Sequence, residues 1–168
     1  YSTREAIRLR EQADTLADLL HHDTRYPAGS VVLEAGCGVG AQTVTLARNN
    51  PESHIIAVDR SGQSLQEARR RGSQEALQNV EFIEGDLFSL SLEPESFDHV
   101  FLCFVLEHVA EPVALVQRLM LSVKPGGTVC AIEGDHGSAF FHPESRSARH
   151  VIACLVELQA RSGGAACI

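Results

Sequence analysis

The chain has 168 residues, 44% of them hydrophobic and 21% charged, and a net charge of −8. That is the composition of one globular domain large enough to enclose a core. It contains no apolar run near the roughly 18 residues of a membrane span, and its acidity disfavours a phosphate-rich partner such as nucleic acid.

The elements can be taken in order. Ser2-Thr3-Arg4-Glu5 has capping-box spacing, and Leu9, Ala13, Leu16, Ala17 and Leu20 recur at helical intervals, which predicts a helix over 3–20. The charged, helix-like opening lacks a signal-peptide pattern. His21-His22-Asp23-Thr24-Arg25-Tyr26-Pro27-Ala28-Gly29 is a polar connection, so residues 1–28 form an N-terminal helix and linker. Adjacent histidines point apart and do not make a metal site.

Val31, Val32 and Leu33 form a short apolar run, as a buried parallel strand does. Glu34 ends it, Gly36, Gly38 and Gly40 follow at alternate positions, and a helix is expected over Ala41–Arg48. Strand, glycine turn and helix N-terminus together suit a nucleotide site. Two functional patterns fit. Gly36-Cys37-Gly38-Val39-Gly40-Ala41 matches G-x-G-x-x-G/A, the dinucleotide fingerprint, and Glu34 to Gly40 matches E/D-x-G-x-G-x-G. A purely structural tight turn is the third reading.

His54–Asp59 is the second strand and ends in an acid, which can accept both hydrogen bonds of a ribose diol. Ser64-Leu65-Gln66-Glu67 is a capping box opening a helix that runs to about Arg71. The basic run Arg69-Arg70-Arg71 at its end complements the helix dipole. Asn79–Asp86 is the third strand, followed by Leu87 and Phe88, and Phe97–Phe104 is the fourth. Pro112 starts a helix reaching about Val123. Lys124-Pro125-Gly126-Gly127 reads as a turn, Thr128–Glu133 as the fifth strand, and Ser147–Arg161 as a last helix broken by Gly163-Gly164.

Five strands alternating with helices predict an α/β, Rossmann-like doubly wound parallel sheet. Such sheets bind ligands beyond the carboxyl ends of their strands. Gly36, Asp59, Asp86, Cys103 and Asp135 all fall there. The five cysteines, Cys37, Cys103, Cys130, Cys154 and Cys167, include no C-x-x-C pair and are expected to be reduced, mostly buried thiols in a cytoplasmic protein.

These motifs, from Val31–Gly40 through Asp59, Gly85-Asp86, Phe97-Asp98-His99-Val100, Leu106-Glu107-His108 and Lys124-Pro125-Gly126-Gly127, resemble the class I methyltransferases that use S-adenosylmethionine (SAM). The resemblance spans nearly the whole chain and is nearest to small-molecule enzymes of the ubiquinone and menaquinone biosynthesis type. It implies SAM as cofactor and a small-molecule methyl acceptor. Gly36, Gly38 and Gly40, with Ala35 and Cys37 in the same loop, would face the methionyl part, and Glu34 would orient the loop and meet the amino group. Asp59, with Arg60 beside it, would hold the ribose. Asp86 and the Leu87 N–H would meet adenine, and the Cys103 carbonyl would face the methionyl ammonium. Tyr1, Arg4 and Gln12 on the first helix would close over the cofactor. His136, His108 and Asp135 are the candidate bases. Glu-x-x-Glu-His binds a divalent ion in small-RNA methyltransferases, but Phe104 stands at the first position here, so no metal is expected. The resemblance also implies a seven-stranded sheet with a final hairpin. Only five strands are visible, and the sequence is expected to be C-terminally truncated. The competing functions are an NAD(P)-dependent oxidoreductase and a non-catalytic SAM-binding partner subunit.

Overall fold

A computed structural model describes residues 3–161 and 163–164. Its centre is a parallel sheet of β1 (Val31–Ala35), β2 (His54–Asp59), β3 (Val80–Glu84), β4 (Phe97–Cys103) and β5 (Val123–Ile132), in the order β3-β2-β1-β4-β5. The order reverses between β1 and β4, where Leu33 pairs with Val100. Among the described residues five α-helices accompany it: α1 (Thr3–Leu20), α2 (Thr43–Asn49), α3 (Gly62–Gln74), α4 (Pro112–Leu121) and α5 (Arg146–Arg161).

Successive strand residues point to opposite faces, and the core divides accordingly. Leu33, Val100 and Leu102 pack with Leu115 and Leu119 of α4. Val32, Ile55 and Phe101 pack with Leu46 and Ala47 of α2. Both faces of β1 and β4 are thus buried, which explains their continuous apolar runs.

Polar side chains fix the joints. The Asp98 carboxylate accepts from the Val31 N–H at 2.8 Å and from Lys124 Nζ at 2.8 Å, tying β1, β4 and β5 at the end remote from the glycine turn. Buried Asn50 accepts from the Tyr26 N–H and donates to the Thr24 and Leu46 carbonyls, closing α2. His21 turns inward, bonded to Thr24 Oγ1 and Gln42 Oε1, and stacks on Phe101. Its neighbour His22 is exposed.

The observed elements depart from expectation at three joints. α2 starts at Thr43, with Gln42 at its N-cap position and the Gln42 side chain meeting His21. α3 starts at Gly62, because Ser61 rather than Ser64 is the cap: its hydroxyl accepts from the Ser64 N–H at 3.2 Å. Lys124–Gly127 is a bulge inside β5, with Phe97 paired to Val123 and His99 to Thr128. Lys124 reaches Asp98 from that bulge, and the segment stays in the sheet. α4 consequently ends at Leu121. The capping-box residue Ser2 lies outside the described residues, as does Cys167.

Candidate active site

The cleft lies where β1, β2 and β4 end. The glycine turn is anchored to β2, with the Gly36 and Cys37 N–H groups donating to the Val58 carbonyl. Gly38 has φ +53, and a Cβ there would meet nothing within 4 Å, so its backbone faces open cleft. Gly40, at φ +74, is different. A Cβ there would sit 3.1 Å from Ala68, so this glycine serves the packing of α3 and does not line the cleft.

Two connected cavities make up the cleft, of about 530 Å3 and about 420 Å3. The first is lined by Asp59, Arg60, Asp86, Leu87 and Phe88. The second is lined by Glu34, Cys37, Cys103, Gln12 and His136. Gly36, Gly38, Phe104, Glu107, His108 and Gln159 border both. Most of the expected cofactor residues therefore line these two adjoining cavities. Ala35 is buried behind it. Tyr1 lies outside the described residues, as does the side chain of Arg4; Gln12 lines the cleft, together with Arg8 of the same helix, which donates to Gln12 Oε1 at 3.0 Å.

The acids are placed unequally. Asp59 Oδ2 accepts from the Gly38 N–H at 2.8 Å and Oδ1 from the Ser61 N–H at 2.9 Å. Each carboxylate oxygen keeps a further lone pair for a ligand. Asp86 is exposed and accepts from the Phe88 N–H at 2.8 Å. The loop behind it is held by Arg118, whose Nε donates to the Leu87 carbonyl at 2.8 Å. Glu34 is 3% exposed, and its Oε2 has no hydrogen-bond partner. Burial pushes its carboxyl up to about 7; the neighbouring Thr43 hydroxyl pulls the other way, and nearby Asp59 adds to the rise.

On the opposite wall, Phe104 adopts φ 56, a strained value for a bulky residue. It leads into a 3-10 turn over Leu106–His108. Glu133, at the end of β5, accepts from the Val105 and Leu106 N–H groups at 3.0 Å each. Glu107 then meets His136 Nε2 at 3.1 Å, and the Gln159 Nε2 donates to the same Glu107 oxygen at 3.1 Å. His108 Nε2 lies 3.4 Å from the other Glu107 oxygen.

Of the three candidate bases, His136 and His108 line the cleft. Asp135 does not: its carboxylate is spent on its own turn, accepting from the Gly137 N–H at 2.9 Å. Sequence reasoning missed Gln159 as a site residue, named Phe104 only in the metal comparison, and used Glu107 only within the Leu106-Glu107-His108 motif and that comparison. Gln159 comes from a helix with no sequence link to the cleft, so only its fold position reveals it. Among the described residues no group of three or more His, Cys, Asp or Glu side chains is arranged to hold a metal ion. Burial pushes the Cys103 thiol up to about 12; among the described cysteines Cys37 is buried, Cys103 and Cys130 are half-buried and Cys154 is exposed, against the expectation of mostly buried thiols.

Comparison with known proteins now bears on the site. A family model described as a methyltransferase domain matches residues 32–127. An uncharacterized methyltransferase of Schizosaccharomyces pombe is 35% identical over 67% of this chain and 43% of its own length. A demethylmenaquinone methyltransferase of Lactococcus lactis is 31% identical over 64% of this chain and 43% of its own. The chain thus spans less than half of these curated relatives. Among solved structures, the cyclase SpnF superposes with TM-score 0.65 at 27% identity over 71% of this chain and 44% of that one. A SAM-dependent methyltransferase from Aquifex aeolicus superposes with TM-score 0.67 at 16% identity over 90% of this chain and 86% of that one, which shows a shared fold. The family match decides between the two readings of the glycine turn in favour of SAM. The strand order, the open turn at Gly38 and that match agree, and the chain belongs to the methyltransferase domain family, as a class I domain with SAM as its cofactor.

Proposed function

We propose that the protein transfers the methyl group of SAM to a small-molecule acceptor, with both bound along the one cleft. The observation that carries this reading is Glu34. A buried carboxyl with an unpartnered oxygen, lining the cleft under the glycine turn, is costly unless a ligand donor meets it. The amino group of SAM supplies such a donor.

The remaining groups fit the rest of the cofactor. Asp59 offers its free lone pairs to the ribose hydroxyls, with Arg60 alongside. The Leu87 N–H, which donates to no group among the described residues, and the Asp86 carboxylate face the adenine edge. Gly36, Gly38 and Cys37 line the methionyl part, and the Cys103 carbonyl lies beyond it. Gly40 acts indirectly, by seating α3 against the turn. When bound, SAM supplies an electrophilic methyl on a sulfonium. The protein's contribution is alignment of the acceptor in line with it, which is where most of the rate arises.

A small molecule fits as acceptor better than nucleic acid. The Lactococcus relative is named for demethylmenaquinone, and the net charge of −8 opposes a polyanion. No helix among the described residues is long and apolar enough to cross a membrane. The free thiols Cys37, Cys103, Cys130 and Cys154 are consistent with a reducing cytoplasmic compartment.

Calorimetric titration with SAM, S-adenosylhomocysteine and NAD tests the cofactor, and formation of S-adenosylhomocysteine from SAM tests the reaction. Binding of NAD in place of SAM would make this an oxidoreductase domain. Binding without turnover over a broad acceptor set would make it a SAM-binding partner subunit. SpnF, named as a cyclase, is a reason to require turnover as well as binding.

A further inference from the structure

We propose that Glu107 is a specificity-determining residue that reads the charge on the cofactor's sulfur, favouring the sulfonium of SAM over the neutral thioether of S-adenosylhomocysteine. This rests on the cofactor reading above and goes beyond it, since no contact named there distinguishes the two ligands.

SAM is an adenosyl and a methionyl part joined at one sulfur, and its sulfonium charge sits at that joint. The cleft has the same division. Asp59, Asp86 and Leu87, for the adenosyl part, line the first cavity, and Glu34, Cys37 and Cys103, for the methionyl part, line the second. The sulfur therefore belongs where the cavities adjoin, among the groups that border both. Among the described residues Glu107 is the one acid in that place, since Asp59, Asp86 and Glu34 each line a single cavity. The arginines are kept to the two ends, Arg60 in the first cavity and Arg8 in the second.

The Glu107 carboxylate is fixed and mostly withdrawn from water. Its side chain is 12% exposed, and its Oε2 meets Gln159 Nε2 and His136 Nε2 at 3.1 Å each. The turn that carries it is tethered by Glu133 through the Val105 and Leu106 N–H groups. His108 Nε2 lies 3.4 Å from the other oxygen. None of these three neighbours is a fixed cation: one is an amide and two are imidazoles. A carboxylate held this way has lost part of its hydration, and a ligand cation at the junction offsets that loss. The attraction is also stronger there than in bulk water. S-adenosylhomocysteine has no charge at sulfur and gains nothing from it. Departure of the methyl thus removes a binding interaction as the product forms, which favours exchange of product for fresh cofactor. The attraction is greatest before the transition state, where the sulfur charge is already dispersing, so Glu107 contributes to the choice of ligand rather than to the rate of transfer.

Titration calorimetry with SAM and with S-adenosylhomocysteine tests this without any methyl acceptor. It is run near pH 8, about 1.5 above the ordinary histidine value, where imidazoles are neutral. The wild-type protein should bind SAM the more tightly. Glu107→Gln keeps the shape and removes the charge, so the Kd for SAM should rise about tenfold while that for S-adenosylhomocysteine stays within about threefold. Glu107→Asp keeps the charge and should keep most of the wild-type preference. Equal or tighter binding of S-adenosylhomocysteine by the wild-type protein overturns the proposal, whatever the variants do. So does an equal change for both ligands in Glu107→Gln, or a loss of preference in Glu107→Asp as large as in Glu107→Gln. A wild-type protein that binds neither ligand would instead overturn the cofactor reading on which the proposal rests.

Discussion

Replacing Glu34 by glutamine should change how stability depends on pH. The carboxyl has an ordinary value of 4.5 and is raised by burial to about 7 in the folded protein. Between those values the folded chain holds a proton that the unfolded chain has released. Unfolding free energy therefore falls as pH rises through this window, and the stabilisation present at low pH is gone above about 7. Each tenfold change in proton affinity is worth about 1.4 kcal/mol, so the full window is on the order of 3 kcal/mol. The sequence pI is about 5.4, which makes pH 6 a practical lower limit. From there to pH 8.5 the loss should be about 1 kcal/mol in the wild-type protein. Glu34→Gln keeps the shape and cannot ionise, so its urea-denaturation curves should not show this loss, and it should gain on the wild type as pH rises. Parallel profiles for the two proteins would refute the argument. Binding gives a second view: an ammonium beside Glu34 draws its proton off, so SAM binding near pH 6 should release a proton in the wild type and none in Glu34→Gln.

Other expectations concern the loop and the sheet. Asp59→Ala should weaken SAM binding tenfold or more, since each charge-assisted bond is worth about 1.5–3 kcal/mol; Asp86→Ala should cost less, and titration calorimetry ranks them. Asp59→Ala should also lower the melting temperature without ligand, because the Gly38 and Ser61 N–H groups lose their acceptor; an unchanged melt would remove Asp59 from the support of the turn. Gly40→Ala should destabilise by more than the roughly 1–2 kcal/mol of a left-handed alanine, because its Cβ also meets Ala68. Gly38→Ala should cost less stability and more SAM affinity, and the opposite ranking in melts and titrations would reverse their assigned roles. Asp98→Asn should stay near wild-type stability while Asp98→Ala loses about 1–2 kcal/mol, since the exposed ion pair to Lys124 contributes little and the Val31 N–H needs an acceptor; equal urea midpoints for the two variants would contradict that.

Most of the sheet was legible because its strands are buried on both faces. Val31-Val32-Leu33 and Val100-Phe101-Leu102 are apolar without alternation, and the acids or glycines that end the strands mark the cleft. What was not legible depended on partners far along the chain. Lys124-Pro125-Gly126-Gly127 has the composition of a turn, yet it stays in the sheet as a bulge beside β4, with Lys124 reaching Asp98. Ser61 and Ser64 are equivalent as caps on paper, and the hydroxyl that accepts belongs to the first. Asp135 looked catalytic by position, yet a short loop let it cap Gly137 instead. The three alternating glycines looked alike, and the packing around them separates the one open to the cleft from the one pressed on α3. The carboxylate–histidine pair needed Glu107, His136 and Gln159 brought from three parts of the chain.

The pairing of β1 with β4 also has a kinetic consequence. The two strands meet at the middle of the sheet, yet the bond from Val31 to Asp98 joins residues 67 positions apart. Closing a loop of that size costs entropy before any contact repays it, which delays such pairings relative to local ones. The cleft straddles this seam, with Glu34 on one side and Cys103 on the other. A collapsed state holding only β1, β2 and β3 would have half a binding site and no wall opposite the glycine turn. SAM would then find only part of its site until β4 is in place, so saturating cofactor should slow unfolding more than it speeds folding.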